Sequence, residues 1–115
     1  MTPEDVTVPP AGGARGRTTI TARALRRLAV GIAGEAGHVP AREVSLHLSD
    51  AHGALRAQVQ VPVALRRGEH ATIAERAEAV RRAVADGMRE LAGRELAAVD
   101  IRFDGVRDEE PRRVR

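Results

Sequence analysis

Three polar groups that could hold a metal surround one turn: His47, Asp50 and His52. Imidazole and carboxylate suit a divalent cation, but a closed site needs about four converging ligands. No other ligand type lies near them in sequence. The plainer reading is a solvated strand face and its turn, so neither a metal nor any other cofactor is expected. Ser45, His47 and Ser49 pose a second question, since a hydroxyl beside an imidazole can act as nucleophile and base. Residues two apart on a strand point outward in parallel, and nothing here supplies the acid that would orient the imidazole. No catalytic set is read from them, and the expectation is a protein that is not an enzyme and has no small-molecule substrate.

Phosphate chemistry has two candidates. Gly31-Ile32-Ala33-Gly34 has the G-x-x-G spacing of loops that clamp an RNA backbone. It lies inside a helical period, its middle residues are apolar, and Gly37 continues the three-residue spacing. Close packing is the more economical reason for these glycines. The other candidate is basic. Arg23, Arg26 and Arg27 fall in the first two turns of the same helix, with Arg15 and Arg17 upstream. Cations there oppose the helix dipole, which favours acids at an N-terminus. They decorate a wet face or they meet an anionic partner: an acidic protein, a phospholipid surface or nucleic acid.

The third candidate is a surface. Arg56, Gln58, Gln60 and Arg102 share one polar sheet face with Ser45, His47 and Asp100. Such a face is either plain solvent surface or a place where copies of the chain associate.

Composition narrows these choices. Apolar residues make up 43% of the 115-residue chain, with no Trp, Tyr or Cys and a single Phe. That aromatic is Phe103, so stacking on nucleic-acid bases is nearly excluded and nucleic acid is not the favoured partner. The 19 basic residues are all Arg, against 16 acids, for a net charge of +3. The sequence pI of about 11.1 reflects the lack of Lys, Tyr and Cys to titrate between His and Arg. The Arg-for-Lys bias points to a GC-rich coding genome. Absence of Cys removes disulfides and thiolate metal sites. No apolar run reaches the roughly 18 residues a membrane span needs, and Met1 to Gly16 has no apolar stretch of a secretory signal. Direct membrane insertion is not expected, and cytoplasmic residence is.

These groups must be positioned by a small set of elements. Residues 1–16 and 107–115 read as disordered tails, because Pro, Gly and charge leave little to bury. Residues 17–106 read as one domain. Arg17 to Ile20 is a short extended run. Thr21 caps a helix to about Ala36 whose inner positions are Leu25, Leu28, Ala29, Ile32, Ala33 and Ala36, and Gly37 stops it. Val44, Leu46 and Leu48 alternate inward. After the turn at Asp50 to Gly53, Leu55, Ala57, Val59, Val61 and Val63 do the same, which predicts a hairpin. Thr72 and Glu75 form a capping-box pattern for a second helix. Its predicted stripe is Ile73, Ala77, Val80, Val84, Met88 and Leu91, and Gly93 ends it. Val99, Ile101 and Phe103 form a last strand closed by Gly105. The fold class is therefore α+β, a two-layer sandwich in the order β-α-β-β-α-β. It has a mostly antiparallel, four-stranded sheet and both helices on one face.

The order of these pieces resembles the alkaline-shock, envelope-stress-response protein family of bacteria. Gly16 to Ile20 with Leu25 and Leu28 looks like its opening segment and first helix. Val44 to Val63 looks like its central hairpin, Ile73-Ala74-Glu75-Arg76 through Leu91 like its long second helix, and Gly93 to Val106 like its closing strand. The connection His38 to Glu43 is shorter than in many members. The resemblance implies a cytoplasmic, non-enzymatic interaction protein linked to envelope stress. Such a protein self-associates and reaches the membrane through an anchoring partner. The alternative is a nucleic-acid-associated α+β module that uses the Arg-rich first helix.

Overall fold

The first helix, α1 (Ala22–Gly37), starts where Thr21 places its hydroxyl to accept the backbone N–H of Ala24 at 3.1 Å. That hydroxyl satisfies one of the donors a helix start leaves free. In the computed structural model, which describes residues 7–8 and 20–108, the helix ends one residue later than expected. Gly37 remains helical, and His38 takes the left-handed conformation, with φ 61°. Val39 N–H then reaches back to Gly34 O at 2.9 Å. A single 3-10 turn, Ala41–Glu43, leads into the sheet.

Strands β3 (Ser45–Ala51) and β4 (Ala54–Leu65) form the expected hairpin. Its loop is only His52-Gly53, both with positive φ (56° and 78°). A two-residue loop of that conformation matches the twist of the strands it joins. Helix α2 (Ile73–Ala92) begins with the reciprocal cap. Thr72 Oγ1 accepts Glu75 N–H at 3.0 Å, and Glu75 Oε1 accepts Thr72 N–H at 2.9 Å. Gly93, at φ 68°, ends the helix. Strand β5 (Leu96–Asp108) closes the fold.

Both helices lie on one face of an α+β sandwich, touching each other and the sheet beneath. The sheet differs from expectation in two respects. It has three strands, ordered β3-β4-β5, and β5 runs parallel to β4. A helix between two neighbouring strands returns the chain to its starting end, so the strands run the same way. The expected first strand is not part of this sheet. Ile20–Thr21 (β2) instead pairs with Thr7–Val8 (β1) as a separate two-residue ladder. Thr7 and Val8 are thus strand residues inside the segment expected as a tail. The other residues of 1–16, and 109–115, lie outside the described residues.

The core holds Leu25, Ala29 and Ala33 of α1, Val80, Val84, Met88 and Ala92 of α2, and Leu46, Ala57, Val59, Val61 and Val99 of the sheet. No buried side-chain polar atom lacks a partner among the described residues. Gly87 brings the helices together: a Cβ there would come within 2.6 Å of Ile32 Cδ1.

Three expected core positions fall elsewhere. Ile73 and Leu91 are 52% and 65% exposed, because the stripe advances by fours from Val80 to Ala92 and leaves them at the helix ends, off the sheet. Val63 is only partly buried, and Ala64 takes the inward place. The cause is a bulge. Val61 pairs with Phe103 but Val63 pairs with Val106, so β5 fits three residues against two, with Gly105 at φ 88°. Beyond it β5 continues to Asp108. Arg107, expected in a tail, is a strand residue that ion-pairs with Glu43. Phe103, Leu48 and Ile101 sit on strands at the sheet's edges and are half-buried against the core. Phe103→Ala should therefore cost about 1–2 kcal/mol in chemical denaturation, not the ~3–5 of an enclosed ring.

Candidate functional site

The open side of the sheet is built by register. Ser45, Gln60 and Arg102 align across the three strands as one row, and His47, Gln58 and Asp100 as the next. Ser49, Arg56 and Ala98 form a third. Ser45, His47, Arg56, Gln58, Asp100 and Arg102 are exposed. The first two rows line a shallow depression of about 490 Å³, reached also by Arg26. The expected face Arg56, Gln58, Gln60 and Arg102 is thus one continuous surface. Gln60 is less free than its neighbours: its Nε2 donates to Asp104 Oδ2 at 3.1 Å. This surface presents amide donors and acceptors flanked by charges of both signs, the chemistry of a hydrogen-bonding contact.

His47 stands beside Gln58 in the ladder and Ser45 beside Gln60. Among the described residues, no hydrogen bond joins His47 to either flanking serine, and no group of three or more His, Asp or Glu could hold a metal ion. His52 is an exposed residue of the hairpin turn.

The second site lies along α1. Arg23, Arg26, Arg27 and Arg42 surround a groove of about 400 Å³ floored by Val30, Ala41 and Val44. Arg15 and Arg17 lie outside the described residues. Arg26 Nε donates to Leu46 O at 3.0 Å. That carbonyl is on the outer edge of β3, so the arginine caps a backbone acceptor that an added strand would use. Arg42 was not legible as a member of this group. It follows the helix by several residues, and only the reversal over Gly34 brings it back alongside Arg27. Gly34, in the last turn of the helix, is buried against Val39 O and Ala41, so packing accounts for that glycine, whereas a Cβ on Gly31 would meet nothing within 4 Å.

Three of the four arginines of α2 behave differently, and the fourth, Arg76, donates to the backbone carbonyls of Ala64 and Ala71. Arg81 and Arg82 both pair with Glu78, and Arg89 pairs with Asp86 and Glu95. On α1 no acid occupies the first turn, and Arg27 and Arg42 have no carboxylate partner among the described residues.

Comparison with known proteins matches no family model, no curated protein and no solved structure. Among the described residues, no helix is long and apolar enough to cross a membrane.

Proposed function

We propose that this protein is a non-enzymatic, cytoplasmic interaction protein that associates with itself through the open face of its sheet. In this reading it serves cell-envelope stress homeostasis and reaches the membrane through an anchoring partner. The observation that carries it is the face itself. Three strands display a continuous polar surface, Gln58 at its centre and Arg102 and Asp100 at its margin, that neither helix covers. Amides and paired opposite charges can be matched across such a contact without burying a lone charge. The resemblance of the sequence, in the order of its segments, to the alkaline-shock family supports the envelope role. The outer edge of β5 is a second route for assembly, whereas Arg26 and Leu46 O restrict the β3 edge.

Light scattering over a concentration series should give a dimer or larger assembly at micromolar protein. Gln58→Glu with Arg102→Glu should shift the midpoint at least about tenfold upward, since like charges would then meet across the contact. A mass of one chain up to high micromolar concentration refutes assembly. An oligomer indifferent to both substitutions moves the interface to the β5 edge.

A further inference from the structure

We infer that the open face stacks on the same face of a second copy about a two-fold axis crossing the strands midway between the rows of Arg102 and Asp100. This pairing rests on the self-association proposed above and fixes which residue meets which. Asp100 and Arg102 are exposed, two residues apart on one face of β5. Neither side chain has an ion-pair or hydrogen-bond partner among the described residues. Their charges are opposite, so a surface presenting the same two charges in reverse order satisfies both. A two-fold axis across the strands supplies that reversal, because it lays each strand over its own counterpart with the direction inverted.

The register of the three strands sets the remaining contacts. With Arg102 over Asp100 of the second copy, Gln60 faces Gln58 and Ser45 faces His47, and each contact occurs twice. Amide on amide and hydroxyl on neutral imidazole are donor–acceptor pairs in either orientation. Stacked sheets keep their strands within about 30° of alignment, so the rows nearest the axis stay in register. Other axes match less well. An axis through either row sets Arg102 on Arg102 or Asp100 on Asp100. An axis along β4 sets Arg56 on Arg56, whereas the inferred axis sets Arg56 opposite Pro62. An axis one row further along opposes Arg102 to Asp104, which already accepts Gln60 Nε2 at 3.1 Å. Arg26 of each copy comes to the β3 margin, held on Leu46 O and exposed, where solvent screens like charges.

The test is a charge swap split between two full-length variants, Asp100→Arg and Arg102→Asp, followed by sedimentation equilibrium. Alone, the first sets arginine on arginine and the second aspartate on aspartate, and each should associate at least about tenfold more weakly than the unaltered chain. Mixed in equal amounts, every contact becomes Arg on Asp, and association should return to within about threefold of the unaltered chain. Both positions are exposed, and circular dichroism confirms that each variant folds. Gln58→Cys added to both variants locates the contact, because β4 is the central strand. A short bismaleimide should trap the mixed dimer through the face, whereas an edge contact holds the two copies of β4 about 14 Å or more apart. No association of the unaltered chain overturns the proposed self-association and this pairing together. Association that either variant leaves unchanged, or a mixture no tighter than its parts, overturns this pairing alone. Recovery in the mixture without the covalent mixed dimer moves the Asp100–Arg102 contact to the β5 edge and overturns it too.

Discussion

Met88→Ala lowers the stability of the domain by about 2–5 kcal/mol. Met88 is 0% exposed and sits midway between Val84 and Ala92 in the inward stripe of α2. The core has no aromatic to close over a void, since the only ring is on its fringe. The same core cluster includes small residues, with Ala29, Ala33 and Ala57 all fully buried, and these offer little side chain to fill a void. A loss near the upper end of that range is therefore expected from urea unfolding followed by circular dichroism. A loss below about 1 kcal/mol would mean that the helices relax onto the sheet, and that packing of α2 is looser than its burial implies.

Gly34→Ala destabilises by about 1–3 kcal/mol, whereas Gly31→Ala, one turn earlier in α1, stabilises by about 0.5–1 kcal/mol. The two substitutions are identical in chemistry and opposite in expected sign. A Cβ on Gly34 would stand 2.9 Å from Val39 O, a backbone atom in the reversal that leads to Arg42. A Cβ on Gly31 meets nothing within 4 Å, so that site gains only helix propensity. Thermal melts of both variants provide the check. If both stabilise, the reversal does not rest on Gly34. Because Gly34 holds the reversal that carries Arg42, its substitution should also weaken the arginine groove.

Local chemistry made much of this fold legible. Thr21, Thr72 with Glu75, and Gly93 are caps whose partners lie within a few residues, so type and spacing alone identify them. Strand phase was also legible, because Leu46, Val59, Val61 and Val99 alternate with polar residues and the helices cover that side. The direction of β5 was not. Alternation is the same in a parallel and an antiparallel strand, and only the crossover through α2 decides. The bulge at Gly105 was hidden too. A glycine at positive φ reads equally as the end of a strand or as an extra residue within one. For that reason Arg107 seemed to lie in a tail, although it crosses to Glu43.

The candidate surfaces divide along the same line. Gln58 and Arg102 could be assigned to one face from alternation. Their rows with Ser45, His47 and Asp100 needed the register of three strands. Arg23, Arg26 and Arg27 formed a cluster by helical spacing, and Arg42 joined it only through tertiary structure.

If copies of this protein meet through the open sheet face, the lack of any cysteine permits a direct measurement of that contact. Gln58→Cys places one thiol at the centre of that face, and Arg82→Cys places one on the exposed side of α2. Each variant is treated with a short bismaleimide at micromolar protein, with denaturing electrophoresis as the readout. The expected result is efficient covalent dimer from Gln58→Cys and little from Arg82→Cys. Equal yields from the two variants, or none from Gln58→Cys while the protein is oligomeric by mass, would contradict the claim.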